Sequence, residues 1–392
     1  MTKEFQEIAV DPSSGKRRGW TTGSCATAAT KGAMRMLLEQ RKIEEVDLVV
    51  PAGVHLVLPL ENQNFSAQEA SCSVRKNGGD DPDCTHGASI FATVTYGPMA
   101  GISIDGGAGV GRITKPGLAL PVGEAAINPI PRMMIMDAVR EIGGMQVQER
   151  GFRVVISVPK GEEMAKKTLN GRLGILGGIS ILGTSGIVYP FSRSAFKASI
   201  AQSNDVAIAK GLDAVVLTTG SQSEKLAMQA IELPEEAFNL VGDFMGFAVR
   251  DASSKGLKRI IVGGFMGKLT KMAMGKVQTH AAGSAVDVVF LAEIAKECGA
   301  SEETVTALRS ANTARHAGDL VKAAKVSGFF DAICRRALGT LRERAGPAPN
   351  LELLMFGFEG EGVIGRAVSP GVPTGGTAPE RPDIYADQDE EI

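Results

Sequence analysis

Apolar and polar positions follow two different patterns along this chain. From Asp47 to Val158 the sequence breaks into short runs, DLVVP, HLVLPL, SCSVRK, SIFATVTY, ISID and FRVVISV, separated by Gly, Pro and Asp. Loose alternation at short spacing predicts strands of an α+β or β-rich unit. Ahead of them, Cys25 to Glu39 reads as a helix, with Ala26, Ala29, Ala33, Met36 and Leu37 on one face and Ser24 as N-cap. Pro131 to Ile142 reads as a second helix, ended by Gly143-Gly144.

Beyond a polar stretch from Pro159 to Arg172 the pattern becomes strand, loop and helix in alternation. Four continuous apolar runs read as buried strands: ISILG from Ile179, AVVLTTG from Ala214, RIIVGG from Arg259 and LELLMFGF from Leu351. Helical stretches intervene at Ser194 to Lys210, Ser223 to Ile231, Glu235 to Lys255, Met266 to Met274, and repeatedly between Ala281 and Arg344. Apolar strands alternating with helices predict a parallel sheet covered on both faces. The expected architecture is therefore an N-terminal α+β domain, residues 1–175, then an α/β domain with a four-stranded parallel sheet, residues 176–368. A flexible acidic tail over 369–392 completes it.

Composition narrows the function classes. The 392 residues are 44% hydrophobic and 22% charged, enough for sizeable cores. A net charge of −2 argues against a general nucleic-acid binder. Glycine is abundant, at 48 residues, which points to tight turns and close backbone approaches. The five cysteines are scattered with no C-x-x-C spacing, which favours a reducing cytoplasm over a disulfide framework or a zinc module. The opening MTKEFQEIAVDPSSGKRR has no apolar core and does not read as a signal peptide. The uncharged stretch Leu173 to Ser192 is broken by glycines and a proline and reads as a strand between loops, not as a membrane span.

In an open parallel sheet, ligands sit outside the carboxyl ends of the strands. The expected strand ends carry Gly183-Thr184-Ser185-Gly186, Thr218-Thr219-Gly220-Ser221, Gly263-Gly264-Phe265-Met266-Gly267-Lys268 and Phe358-Glu359-Gly360-Glu361-Gly362. Glycines there let backbone N–H groups approach a ligand, and the helices that follow offer positive ends to a carboxylate or phosphate. Ordinary strand-to-helix turns also favour glycine. Gly267-Lys268 resembles the end of a Walker A loop, but Val262 and Leu269 break that motif.

The densest polar cluster is Lys76 to Gly87, with Asp80, Asp81, Asp83 and His86. Three carboxylates beside an imidazole suit proton transfer or a cation. An Asp-Pro turn, with Asp side chains capping backbone N–H groups, accounts for the same residues. Gly123 to Arg132 places Glu124 and Asn128 before a helix, where they face a ligand or simply form a loop. His280 sits at a helix boundary, while His55 and His316 stand alone.

Arg18-Gly19-Trp20-Thr21-Thr22-Gly23-Ser24-Cys25-Ala26 resembles the opening motif of the CbiD family of cobalt-precorrin-5B C(1)-methyltransferases. The resemblance continues through Gly79 to Gly87, Gly123 to Pro129, Gly177 to Val188, Ser192 to Ala195, Gly267 to Lys271 and the Thr279-His280 segment, in order from about Arg17 to about Ala367. Cys84 departs from the valine common in the family, so a cysteine is not required there.

The resemblance implies methylation of ring carbon C-1 of cobalt-precorrin-5B in anaerobic cobalamin biosynthesis. S-adenosylmethionine would be the methyl donor, and no protein-bound metal is needed because cobalt arrives chelated in the substrate. Placed on this sequence, the donor falls to Gly183, Thr184, Ser185, Gly186, Thr219, Gly220, Ser221, Gly264 and Glu359, with Glu361 as a second carboxylate. The polycarboxylate ring falls to Arg18, Thr21, Thr22, Glu124, Asn128, Arg193, Lys268 and His280, with Arg17, Arg132, Lys197 and Lys271 as further cations. Asp80, Asp81, Asp83 and His86 are the catalytic candidates. Neither nucleic acid nor membrane is an expected partner, and self-association is left open. A nucleotide- or nicotinamide-dependent enzyme and a non-catalytic corrinoid-binding protein are the competing readings.

Overall fold

The computed structural model describes residues 10–12, 14–279, 287–358 and 360–372, and divides into two compact units, Met1–Ser192 and Arg193–Ile392.

In the first unit, helix α1 (Thr22–Glu39) is rich in small residues, and Cys25, Ala26, Ala29 and Ala33 are fully buried. Small side chains let it lie close to a sheet. A hairpin of β1 (Glu45–Val49) and β2 (His55–Pro59) alternates exposed and buried positions. The main sheet comprises β3 (Glu61–Phe65), β4 (Glu69–Arg75), β5 (Ser89–Tyr96), β6 (Ile102–Gly106) and β7 (Phe152–Ser157), in the order β3-β4-β5-β7-β6. All neighbours are antiparallel except β7 and β6. Helix α2 (Pro129–Gly143) starts two residues before its expected boundary, with Pro129 and Pro131 in its first turn. Ile90, Val94, Val154 and Ile156 from the sheet and Met34, Ile135 and Val139 from the helices share one core.

The division falls after Ser192, beyond the join expected at 175/176. Local pairing accounts for the difference. Ile175–Leu176 pairs with Arg112–Ile113, Gly178–Ile179 with Gly109–Val110, and Ile187–Val188 with Gly19–Trp20. The ISILG run therefore belongs to the first unit. It is not a strand of the second unit's sheet.

The second unit runs α3 (Arg193–Ala209), β8 (Ala214–Thr218), α4 (Ser221–Ala230), β9 (Phe238–Leu240), α5 (Met245–Ser254), β10 (Arg259–Phe265) and α6 (Met266–Ala273). Helices α7 (Val288–Glu297), α8 (Glu302–Arg309), α9 (Ala314–Ala323) and α10 (Phe329–Ala345) follow, then β11 (Asn350–Phe356) and β12 (Val363–Ser369). The sheet order is β9-β8-β10-β11-β12. Its first four strands are parallel, and β12 is antiparallel to β11. The expected all-parallel sheet is thus a five-stranded mixed one. Phe238–Leu240 takes the place expected for Ile179, and the stretch Glu235 to Lys255, expected to be one helix, holds that strand, a turn and α5. Ser369, the first residue of the expected tail, ends β12, and the N–H groups of Gly371 and Val372 still bond to Asn350 Oδ1 and the Pro347 carbonyl. Val215, Leu217, Ile260, Val262, Leu353 and Met355 pack on one face of the sheet, and Val216, Ile261, Leu354 and Phe356 on the other. Strands apolar on both faces are what a helix-covered parallel sheet requires.

Among the described residues, no helix is long and apolar enough to cross a membrane.

Candidate functional site

Four of the sequence motifs meet around the N-terminus of α1. Thr21 caps the helix, its Oγ1 accepting from the Ser24 N–H at 3.1 Å. Thr22 Oγ1 accepts from the Leu182 N–H at 2.9 Å, and Ser24 Oγ donates to the Gly186 carbonyl at 2.7 Å. The Gly23 N–H donates to the Leu182 carbonyl at 3.0 Å. Asn128, the N-cap of α2, donates its N–H to the Ile181 carbonyl at 2.9 Å. Thr21 and Thr22, expected to face substrate, are 5% and 3% exposed and engaged in joining α1 to residues 180–186. Gly183, Thr184, Ser185 and Gly186 follow that junction and do not form a strand end of the parallel sheet. Side chains at Gly183 and Gly186 would collide with Thr21 and Val50. Nearby, Glu124 is exposed and pairs with Arg132 at 3.2 Å.

The Lys76–Gly87 loop folds against Arg17 to Trp20 and Phe191. Asp80 takes the Arg17 guanidinium at 2.8 and 2.9 Å and the Arg17 N–H at 2.7 Å. These donors hold its carboxyl below the usual carboxylate range. Asp81 Oδ1 accepts the Phe191 N–H at 2.8 Å. Asp83 bonds the Lys76 ammonium at 2.5 Å and both the N–H and hydroxyl of Thr85 at 2.7 Å. Burial pushes the Asp83 carboxyl up, but Lys76 and Thr85 outweigh it and leave it low. Lys76 is 2% exposed, so this pair is an internal strut. The three aspartates thus act here as ties.

His86 is different. Its Nδ1 accepts the Gly78 N–H at 3.1 Å, so the neutral ring carries its proton on Nε2, and the residue is exposed. Arg18 pairs with Asp11 at 3.2 Å and lies 4.8 Å over the Tyr189 ring. Burial raises all five cysteine thiols, with Cys25, Cys72 and Cys334 pushed to about 12, so none is a thiolate near neutral pH. Among the described residues no group of His, Cys, Asp and Glu is arranged to hold a metal ion.

In the second unit, three turns line the carboxyl ends of the parallel strands. The first is Thr219-Gly220 before α4, where Gly220 has extended backbone at φ −178° and open space where a side chain would go. Ser221 opens α4, whose first-turn amides at Ser221 to Ser223 precede the intrahelical ladder. The second is Val241 to Phe244, between β9 and α5. The third, Phe265 to Lys268, leads from β10 into α6. A side chain at Gly264 would press on Thr219 Oγ1 at 3.1 Å and Leu269 at 3.2 Å. Lys268 Nζ binds the Thr219 carbonyl at 2.8 Å, Asp243 Oδ1 at 3.0 Å and the Gly242 carbonyl at 3.4 Å.

Two other expected cations, Lys197 and Lys271, are buried. Lys197 is 3% exposed and lies near the Phe244 and Phe247 rings, and Lys271 Nζ donates to the Thr279 carbonyl at 3.2 Å. Arg193 opens α3. Phe358, past β11, stacks on Phe265 with centroids 4.8 Å apart, and Glu361 pairs with Lys322. His280 and Glu359 lie outside the described residues.

Sequence reasoning missed Asp243 and the Lys76–Asp83 pair. Asp243 lies inside the stretch expected to be one helix, although Gly242-Asp243 directly after Leu240-Val241 is a strand-end signal. Its Oδ1 also accepts the Thr279 hydroxyl at 2.9 Å, tying the 276–279 segment to the rim.

Residues 9–190 match the family described as CbiD, and residues 278–367 match CbiD, C-terminal domain. A cobalt-precorrin-5B C(1)-methyltransferase of Geobacillus sp. (strain WCH70) is 48% identical over 90% of this chain and 96% of its own length. The protein of the same description from Priestia megaterium is 44% identical over 94% of this chain and 100% of its own. A crystal structure of a cobalamin biosynthesis protein (CbiD) from Archaeoglobus fulgidus aligns over 67% of this chain and 81% of its own, at 28% identity and a TM-score of 0.34.

Proposed function

The chain belongs to the CbiD family, and from that premise we propose that it transfers a methyl group to C-1 of cobalt-precorrin-5B, giving cobalt-precorrin-6A. The observation that carries this is identity of 44–48% over 90–94% of this chain with enzymes described by that activity. S-adenosylmethionine, when bound, supplies an electrophilic methyl on a sulfonium.

The donor's amino-acid carboxylate suits the turn at Thr219, Gly220 and Ser221. There the helix start offers amides, and the missing Gly220 side chain leaves room for a ligand. A side chain at Gly264 would press on Thr219 beside that turn. The electron-rich ring carbon would attack the methyl in line as the S–CH3 bond breaks and its electron pair leaves on the neutral thioether, a step that needs orientation and exclusion of water rather than a nucleophilic side chain. Five protonated cysteines agree with direct transfer. His86, an exposed residue whose Nδ1 is taken by the Gly78 N–H, is the group best suited to exchange a proton with the ring, while Asp80, Asp81 and Asp83 hold its loop in shape. Arg18 is the cation assigned to the ring's carboxylates.

Incubation with methyl-labelled donor and cobalt-precorrin-5B should yield a tetrapyrrole heavier by one labelled methyl. His86→Ala should slow single-turnover methylation roughly 100-fold. An undiminished rate removes the acid-base role of His86, and an unlabelled product removes the activity itself.

A further inference from the structure

We infer that Lys268 is a positioning residue for the methyl-donor site and not a cation that meets substrate; this rests on the reading that the donor binds at the second unit's strand ends. An ammonium group has three donors. Those of Lys268 have three acceptors in reach: the Thr219 carbonyl at 2.8 Å, the Gly242 carbonyl at 3.4 Å and Asp243 Oδ1 at 3.0 Å.

The two carbonyls are not arbitrary. Thr219 and Gly242 each follow the last paired residues of adjacent parallel strands, Thr218 of β8 and Leu240 of β9. Carbonyls just past the ends of parallel strands have no further strand partner and need donors. One cation, carried on the first turn of α6, supplies them. Three successive strand ends, β9, β8 and β10, are thereby fastened at one atom. The Thr219 carbonyl is the peptide oxygen immediately before Gly220, so fixing it fixes the orientation of the Gly220 amide plane and the entry into α4.

Asp243 completes the device. Its Oδ1 balances the charge on Lys268 and accepts the Thr279 hydroxyl. A cation so engaged neutralises its neighbours and has little left to offer a propionate or acetate of the ring. A methionine at 268 keeps the apolar stem, which lies in a helix, and removes only the tie.

The two roles separate in the kinetics. A positioning role predicts that Lys268→Met raises the KM for S-adenosylmethionine, and its Kd by isothermal titration, at least tenfold, while the KM for cobalt-precorrin-5B changes less than twofold. Amide exchange should quicken together over residues 219–224 and 241–246. Asp243→Asn, which keeps an acceptor at the same place, should show the same pattern more weakly, and it serves if Lys268→Met fails to fold. Gly220→Val reports on the underlying reading. If Gly220→Val weakens donor binding and both other variants leave it unchanged, or raise the KM for the tetrapyrrole instead, the positioning role is overturned. If Gly220→Val itself leaves donor affinity intact in a folded protein, the donor lies elsewhere and the reading falls together with the inference.

Discussion

Two glycines, one in each half of this molecule, do opposite work. Around the start of α1 the missing side chain is filled by protein. Gly79 has φ +65°, and a methyl group there would collide with the carbonyl oxygens of Arg17 and Arg18. At Gly220 the backbone is extended, a conformation any residue adopts, and nothing lies within 4 Å of where a side chain would start. One glycine lets chain approach chain. The other leaves a space that the fold itself does not use. Counting glycines near strand ends cannot separate these cases, but asking what each absent Cβ would touch does.

The largest effect that tests this contrast is on stability. Gly79→Ala combines a left-handed backbone, costing about 1–2 kcal/mol for a residue with a Cβ, with a clash against backbone that cannot move aside. The variant should lose at least about 3 kcal/mol, read as a lower denaturation midpoint in urea. Gly87, also at positive φ (+77°) but with open space around it, is the internal control. Gly87→Ala should lose only the backbone part, about 1–2 kcal/mol. Equal losses at the two sites would mean that the close approach of Arg17 and Gly79 contributes nothing.

The strut beneath the same loop comes next. Removing Asp83 leaves Lys76 buried with its charge unmatched, and Asp83→Asn should cost about 3 kcal/mol near neutral pH. The pH dependence has a definite sign. Lys76 and Thr85 hold the Asp83 carboxyl below its ordinary value against the opposing effect of burial. Its stabilisation is therefore complete above the unfolded value of about 3.9 and is lost as pH falls through the lower, folded value. The gap in stability between wild type and Asp83→Asn should be constant from pH 7 to about 5 and close in stronger acid. A gap that widens in acid would contradict the pairing.

What the sequence revealed and what it concealed follow from the range of the interactions. Helix α1 was legible because its small apolar face repeats locally and Thr21 to Ser24 are capping residue types; the cap is Thr21, three residues before the expected Ser24. Strands β8, β10 and β11 were legible because each is a continuous apolar run. ISILG is also such a run, and nothing local says which sheet it joins; Ile181 bridges Ile127, far away in sequence. Strand β9 is only three residues long, and its glycine turn sits between helix-forming stretches, so periodicity averaged it away. In β3 the sequence ENQNF is polar and irregular at Asn62, with φ +52°, and resembles a loop. The Lys76–Gly87 cluster stood out correctly as a dense polar segment. Within it Asp80, Asp81 and Asp83 bind backbone and cations, as turn-capping expects, while His86 accepts the Gly78 N–H and is exposed.

The smallest expected effect sharpens the contrast most. Gly220→Ala adds one methyl group into open space on extended backbone, at the N-cap of α4. Gly and Ala differ at an N-cap by up to about 1 kcal/mol, and the lower entropy of alanine in the unfolded chain offsets part of that. The thermal midpoint should therefore stay within about 2 °C of wild type, given that 1 kcal/mol moves a domain of this size by about 2–4 °C. If that space belongs to a ligand, the same methyl group should weaken S-adenosylmethionine binding several-fold in isothermal titration. A stable variant with wild-type donor affinity would show that Gly220 borders empty solvent. A variant as damaged as Gly79→Ala would show that the space is closed by the protein after all, and the distinction between the two glycines would disappear.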